Sequence, residues 1–357
     1  MQPVNGESEV TGESQPVGDD IRAEGQIWSE ERVGAENQVP IGPVERLGRD
    51  VAAAVEQVIV GKHGQVRLLL VALLAEGHVL IDDVPGVAKT LLVRTLAAAL
   101  GLRFARVQCT PDLLPGDVTG SEVFDQRVSD FDFRPGPIFA NLVLADEINR
   151  ATPRTQSSFL EAMEERQVTV EGTSYPLPRP FLVLATQNPV ELKGTFPLPE
   201  AQLDRFLMKL RMGYPTRDEE VAILTRFRVA DPLAEVRPVA GVDDLLAARD
   251  VARSVHVAAD VERYIVDLVR STRGARDVLL GASPRSALAL MKAAQASAVL
   301  AGREYVIPDD VAGLAVPVLA HRLLLARDAV VQRQRPESVV ERLLGEVTAP
   351  VEATAGD

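Results

Sequence analysis

The chain has 357 residues, 46% of them hydrophobic and 4% aromatic, with a formal net charge of −13. This length supports two domains with cores of their own, built mainly on aliphatic packing. The acidic balance disfavours nucleic acid as the main partner, except through a basic pore inside a ring. A single cysteine, Cys109, excludes an intrachain disulfide and fits a cytoplasmic compartment.

Residues 1–40 carry nine acidic and two basic residues and show no helical or strand period. They read as a disordered acidic tail. They lack a basic stretch followed by an apolar one, so they do not read as a signal peptide. The only tryptophan, Trp28, lies here. It is either incidental, folded back onto the body, or part of a short docking peptide.

From Pro43 the pattern becomes regular. "PVERLGRDVAAAVEQVIV" and "KHGQVRLLLVALLAEG" carry apolar residues at helical spacing, the second ending at Gly77. The longest apolar run, residues 67–81, is interrupted by Glu76-Gly77-His78 and is too short to span a bilayer. The segment 78–82 then reads as a buried strand, followed by a turn and a helix from Lys89 to about Leu100. "RFARVQC", "NLVLADE", "FLVLATQN" and "RFLMKLRM" are further strands, and "TQSSFLEAMEER" is a helix. Alternation of this kind defines a doubly wound α/β domain over residues 41–215, with a parallel sheet. Two β-hairpins interrupt it, in "SEVFDQRVSDFDFRPG" and in "QVTVEGTSYPLP", the latter turning at Glu171-Gly172. After Pro215, "TRDEEVAILTRFRVA", "ADVERYIVDLVRSTR", "PRSALALMKAAQASAVLAG" and "PDDVAGLAVPVLAHRLLLA" read as amphipathic helices. They make an all-α domain over residues 216–350, ahead of a short tail at 351–357. Pro308 sits at a first-turn position with two acids behind it, which suits the helix dipole.

"DDVPGVAKT" follows the first strand where a phosphate-binding loop would lie. The usual pattern is G-x-x-x-x-G-K-S/T, but Asp83 and Ala88 occupy its two glycine positions. Backbone N–H groups and a helix N-terminus can still face an anion there. Gly86 supplies the tight turn, Lys89 would reach terminal phosphates, and the Thr90 hydroxyl suits Mg²⁺. Ala88 adds one methyl, tolerable if its φ is negative. The alternative is an ordinary strand-turn-helix that happens to contain a lysine. "LVLADE" sets Asp146 and Glu147 at the carboxyl end of a buried strand, where open α/β sheets bind ligands. Two carboxylates there either serve an ion and an attacking water or are simply solvated. Asn188, after another buried strand, could hold that water, or could be a turn residue before Pro189. Arg205 in "EAQLDRF" and Arg285 in "GASPRS" are candidates for the arginine that phosphoryl transfer requires. Each could equally be a solvated surface residue.

Taken together, "DVPGVAKT", "TPDLLPGDVTGSEVF", "FRPGPIFANLVLADEINRATPRTQSSFLEAMEERQVTV", "YPLPRPFLVLATQNPVELKGTFPLPEAQLDRF" and "GASPRS" resemble an AAA+ ATPase of the MoxR family, from about Pro43 to the last helices. The resemblance implies a P-loop sheet core with β-hairpin inserts followed by an α-helical lid. It makes the substitutions at residues 83 and 88 a family variant. It implies ATP and Mg²⁺ as ligands, with Asp83, Val84, Pro85, Gly86, Val87, Ala88, Lys89, Thr90 and Leu91 around the nucleotide and Val60-Gly61 packed on adenine. Lys89 and Thr90 match the Walker A pair, Asp146 and Glu147 the Walker B pair, and Asn188 the sensor-1 residue. Thr90 and Asp146 would hold the metal. Arg205 matches the arginine finger, acting on a neighbour's ATP, and Arg285 the sensor-2 arginine, acting within its own subunit or across the interface. Arg150 is a rival for the trans-acting role, or, like Arg154, a structural contact. The hairpin near 122–134 is similar to the helix-2 insert and that near 167–178 to the pre-sensor-1 insert. A homo-oligomer, usually a hexameric ring, is implied, remodelling a protein client that often carries a von Willebrand factor A domain. An ATP-assembled scaffold with little turnover and a DNA-remodelling motor are the alternatives.

Overall fold

The computed structural model of the protein describes residues 41–82, 84, 86–127, 129–188, 194–228 and 231–350. The acidic tail with Trp28, the loop residues Asp83 and Pro85, and the tail from 351 lie outside the described residues. Two helices come first, α1 (Gly42–Glu56) and α2 (His63–Leu74), followed by β1 (His78–Asp82), α3 (Lys89–Ala99) and β2 (Phe104–Gln108). A one-turn helix α4 (Pro115–Thr119) leads into the hairpin β3 (Gly120–Asp125) and β4 (Asp130–Pro135). Then come β5 (Leu142–Asp146), α5 (Pro153–Glu165), the hairpin β6 (Gln167–Val170) and β7 (Thr173–Pro176), β8 (Leu182–Gln187), α6 (Glu200–Leu203) and β9 (Phe206–Leu210).

Five strands form one sheet in the order β2-β5-β8-β1-β9, with every neighbouring pair parallel. The continuous aliphatic runs explain why. In β1, β5 and β8 every residue but the last is buried, as a strand covered by helices on both faces requires. The last residues, Asp82, Asp146 and Gln187, are polar and partly exposed. Burial thus collects polar side chains at one edge of the sheet, and β1 and β8 are adjacent there, with Asp82 opposite Gln187.

Both predicted hairpins are present. Glu171 and Gly172 carry φ of 47° and 83°, the left-handed pair a two-residue turn needs. Phe133 of β4 stacks on Tyr175 of β7 with ring centroids 3.9 Å apart, so the two hairpins touch face to face. At the free end of the first, Phe124 and Phe131 form an exposed aromatic pair.

The remaining chain forms α7 (Arg217–Arg226), α8 (Val242–Ser254), α9 (Ala259–Gly274), β10 (Val278–Leu280), α10 (Pro284–Leu300), α11 (Pro308–Leu319), β11 (Leu324–Leu325), α12 (Arg327–Val331) and α13 (Pro336–Glu346). Pro308 opens α11 as expected, and Asp310 behind it is buried against Arg303, with contacts of 2.7 Å to each carboxylate oxygen. Two expectations need correction. The last predicted helix stops at Leu319; a 3₁₀ turn and β11 follow. The break delivers Arg322 into the interior, where its guanidinium meets Asp204 Oδ1 at 2.8 Å and the Phe206 carbonyl at 2.7 Å. Helices α8, α12 and α13 were not predicted. In α8 the buried face includes Arg249 among Leu245, Ala248, Val251 and Ala252, so a charged residue interrupts the apolar period. One apolar cluster runs from Leu69 and Leu182 to Leu290 and Leu314, so the helical part shares its core with the sheet part. No helix among the described residues is long and apolar enough to cross a membrane.

Candidate active site

A cavity of about 440 Å³ lies at the polar edge of the sheet. Its floor is the turn after β1 and the start of α3: Gly86, Ala88, Lys89, Thr90 and Leu91 all line it. Lys89 and Thr90 are the first residues of α3 and both line the cavity, so the positive end of the helix dipole faces it. Val87 is buried beneath and Val84 is half-buried at the turn's entry.

The condition placed on Ala88 does not hold. It has φ 60° and ψ 25°, the left-handed region, directly before the helix. The turn needs a glycine-like backbone here whichever residue supplies it. Left-handed geometry costs an L-residue about 1–2 kcal/mol, while glycine's extra freedom in the unfolded chain costs about 0.4–1 kcal/mol. Ala88→Gly is therefore expected to raise stability by up to about 1.5 kcal/mol, and Ala88→Val, β-branched at positive φ, to lower both stability and nucleotide affinity. Thermal unfolding with and without ADP measures both; a more stable Val variant would refute the strain.

Asp146 and Glu147 enter the cavity from the end of β5. Thr186 of β8 serves both: its hydroxyl donates to Asp146 Oδ1 at 2.6 Å and accepts the Glu147 N–H at 2.8 Å. Arg106 of β2 donates to Asp146 Oδ2 at 2.6 and 3.1 Å. Glu147 has φ 57°, a sharp turn that brings its carboxylate back into the cavity. Its Oε2 accepts from Gln108 Nε2 at 3.2 Å and from Arg150 Nη1 at 3.1 Å. Asn188 is buried and lines the same cavity. Behind these groups, burial first and the Asp146 and Glu147 charges second push the Cys109 thiol up to about 12. The thiol therefore stays protonated near neutral pH.

Among the described residues no three His, Cys, Asp or Glu side chains converge on a metal position. A cation here would draw on Thr90, Asp146 and the phosphates of a nucleotide, a donor set that suits Mg²⁺. Beside the main cavity, a slot of about 90 Å³ has apolar walls including Val60, Leu91, Met212, Ile223 and Phe227. It shares Gly86, Ala88 and Leu91 with the main cavity, so a flat apolar base and its phosphates could occupy both. Gly61 is not part of the slot's wall; its φ is 69°, and a Cβ there would collide with the Glu219 carboxylate.

Arg205 and Arg285 stand elsewhere. Both bind Glu164 near the end of α5, Arg205 Nη2 to Oε2 at 2.7 Å and Arg285 Nη2 to Oε1 at 3.1 Å. Neither lines the cavity of its own chain. Arg150 does turn toward that cavity, through Glu147. Arg154 is exposed on the first turn of α5. Arg106, Gln108, Thr186 and Glu164 were not singled out from the sequence. For Arg106 and Gln108 the signal was available, since residues i and i+2 of a strand share a face.

A five-stranded parallel sheet with a phosphate-loop turn after β1 and a helical region behind it is the framework of an AAA-type ATPase. The family described as "ATPase family associated with various cellular activities (AAA)" matches residues 78–208, and the AAA lid domain matches residues 270–343. Chaperone MoxR1 of Mycobacterium tuberculosis is 44% identical over 329 residues, spanning 88% of this chain and 87% of that protein. Protein MoxR of Paracoccus denitrificans is 32% identical, spanning 86% of this chain and 96% of that protein. The uncharacterized protein YeaC of Bacillus subtilis is 50% identical over 84% of this chain and 94% of its own. A crystal structure of a candidate ATPase from Cytophaga hutchinsonii superimposes with a TM-score of 0.82 at 38% identity, covering 87% of this chain and 97% of the other. The chain belongs to the MoxR family of AAA+ ATPases.

Proposed function

We propose that this protein hydrolyses ATP at the interfaces of a homo-oligomeric ring, and uses the cycle to remodel or mature a protein client. The observation that carries this reading is the division of the machinery. Phosphate-facing and acidic groups share one cavity, while Arg205 and Arg285 stand together on Glu164 outside it. This placement supports a role for Arg205 at the nucleotide of a neighbouring subunit, which would make oligomerisation part of catalysis; the family's usual ring is a hexamer.

In this reading the α3 N-terminus and Lys89 bind the phosphates, with Val60 and the apolar slot against the base. Bound Mg²⁺, held by Thr90 and Asp146, would neutralise phosphate charge. Glu147 accepts a proton from the attacking water, which Asn188 orients. The neighbour's Arg205, with Arg285 of the same or the neighbouring subunit, balances the charge that develops on the transferred phosphoryl group. Residues 41–215 form the nucleotide-binding domain and 216–350 the lid. The client we propose carries a von Willebrand factor A domain, on the strength of the family resemblance, and the exposed Phe124 and Phe131 offer it an apolar contact. The single cysteine supports a cytoplasmic location, and the charge of −13 opposes a DNA-remodelling role.

Mixing two inactive proteins tests the shared site. Glu147→Gln removes the base but leaves Arg205; Arg205→Ala removes the finger but leaves Glu147. Mixed assemblies pair an intact Glu147 with a neighbour's intact Arg205, so turnover is expected to reappear on mixing. If the mixture stays as inactive as its components, Arg205 does not act across the interface.

A further inference from the structure

A second cavity, of about 330 Å³, lies at the opposite edge of the sheet, where β1 and β8 begin. Glu76 precedes β1 and Phe181 precedes β8. Around them stand four guanidinium groups, from Arg166, Arg179, Arg249 and Arg253. Arg166 is the residue before β6 and Arg179 follows β7, so both lie at the root of the second hairpin. Arg249 and Arg253 come from α8.

The arginines are unequally satisfied. Arg166 donates to the carbonyls of Phe181 and Glu76, at 2.5 and 2.6 Å. Arg249, whose side chain is 4% exposed, donates through Nε to the Leu73 carbonyl at 2.8 Å and through Nη1 to Glu76 Oε1 at 3.1 Å. Its Nη2 is buried and has no hydrogen-bond partner among the described residues. Arg253 binds the other oxygen of Glu76 and reaches Asp250 at 3.5 Å. Arg179 is exposed and makes no hydrogen bond or ion pair among the described residues. Among the described residues Glu76 and Asp250 are the only carboxylates lining the cavity, so two positive charges remain unbalanced there. Burial, opposed by Glu76 and reinforced by Arg166 and Arg253, lowers the pKa of Arg249 to about 10. An arginine held in this way gains from an added anion.

We propose that this cavity is a binding site for a phosphate monoester, gripped by Arg249 Nη2, Arg253 and Arg179, with its organic part against Phe181 and Leu246. Two unbalanced charges match a phosphate dianion, and guanidinium forks suit its oxygens. The volume, at the low end for small-ligand sites, exceeds a bare ion and leaves room for a small substituent. The ligand would tie the root of the β6–β7 hairpin to α8, so its occupancy sets how firmly hairpin and lid hold together.

The full chain, saturated with Mg-ADP so that the phosphate loop is filled, would be titrated calorimetrically with inorganic phosphate, O-phosphoserine and a short phosphoserine peptide at constant ionic strength. One site per chain is expected, weakened about tenfold or more by Arg179→Ala or Arg253→Ala, as loss of a charge-assisted hydrogen bond predicts. Both side chains reach solvent, so these variants test the site without disturbing the interior; Arg249→Met, at the buried position, should abolish binding. Binding of phosphoserine but not the peptide assigns the site to a free metabolite; binding of both assigns it to a phosphorylated side chain as well. No saturable heat with any of the three, or equal affinity in the wild type and both exposed variants, would overturn the proposal.

Discussion

Glu147→Gln is expected to lower steady ATP turnover by about 10²–10⁴-fold, the range for loss of a general base. Nucleotide affinity should change little. The substitution keeps the side chain's size and an oxygen to accept from Gln108 and Arg150, which now bind Oε2 at 3.2 and 3.1 Å. The Glu147 N–H to Thr186 is a backbone contact and survives. The proposed phosphate grip, Lys89 and the α3 N-terminus, is left untouched by the change. Turnover in single-cycle conditions and ADP titration separate the outcomes. Retained turnover would give the base role to another group, and lost affinity would mean that the carboxylate supports the loop rather than the chemistry.

Acid should unfold the protein through two buried histidines. His78 accepts the Val183 N–H at Nδ1 (2.9 Å) and donates from Nε2 to the Met163 carbonyl (3.0 Å), so it is held neutral. Burial and then the Arg166 charge lower its pKa to about 3. His321, beside the Phe206 carbonyl, is lowered by burial and then by Arg322. Both titrate near 6.5 once unfolded. Their folded values are lower, so the unfolded chain binds protons first: stability is complete above pH 6.5 and declines as pH falls toward 3. His78 alone costs about 1.4 kcal/mol per pH unit, or about 2 kcal/mol between pH 6.5 and 5, and His321 adds to it. Urea unfolding at pH 7.5, 6.5, 5.5 and 5 measures the slope. His78→Asn should lower the plateau yet remove its share of the slope; a flat profile from 6.5 to 5 would exclude the mechanism.

The parts of the fold and candidate site that were legible in the sequence are those carried by consecutive residues. The runs ending in Asp82, Asp146 and Gln187 announced buried strands, Glu171-Gly172 announced a turn, and Lys89-Thr90 after a strand announced the cavity floor. What was not legible depends on partners distant in sequence. Thr186 meets Asp146 across 40 positions, and Glu164 collects Arg205 and Arg285 from two different parts of the chain. Helix α8 was missed because Arg249, charged and buried, breaks the apolar period that would have revealed it. The sign of φ at Ala88 is a property of the turn's closure and leaves no mark on the residue chosen.

The stacking of Phe133 on Tyr175 has a mechanical consequence. Each hairpin alone is a two-stranded ribbon, thin and easily bent. Joined through one aromatic contact, they act as two struts braced partway along, like the legs of a stepladder. A shift at the foot of either ribbon is carried to the outer end of both, and the exposed Phe124–Phe131 tip inherits a lever arm that neither strut would hold rigid by itself.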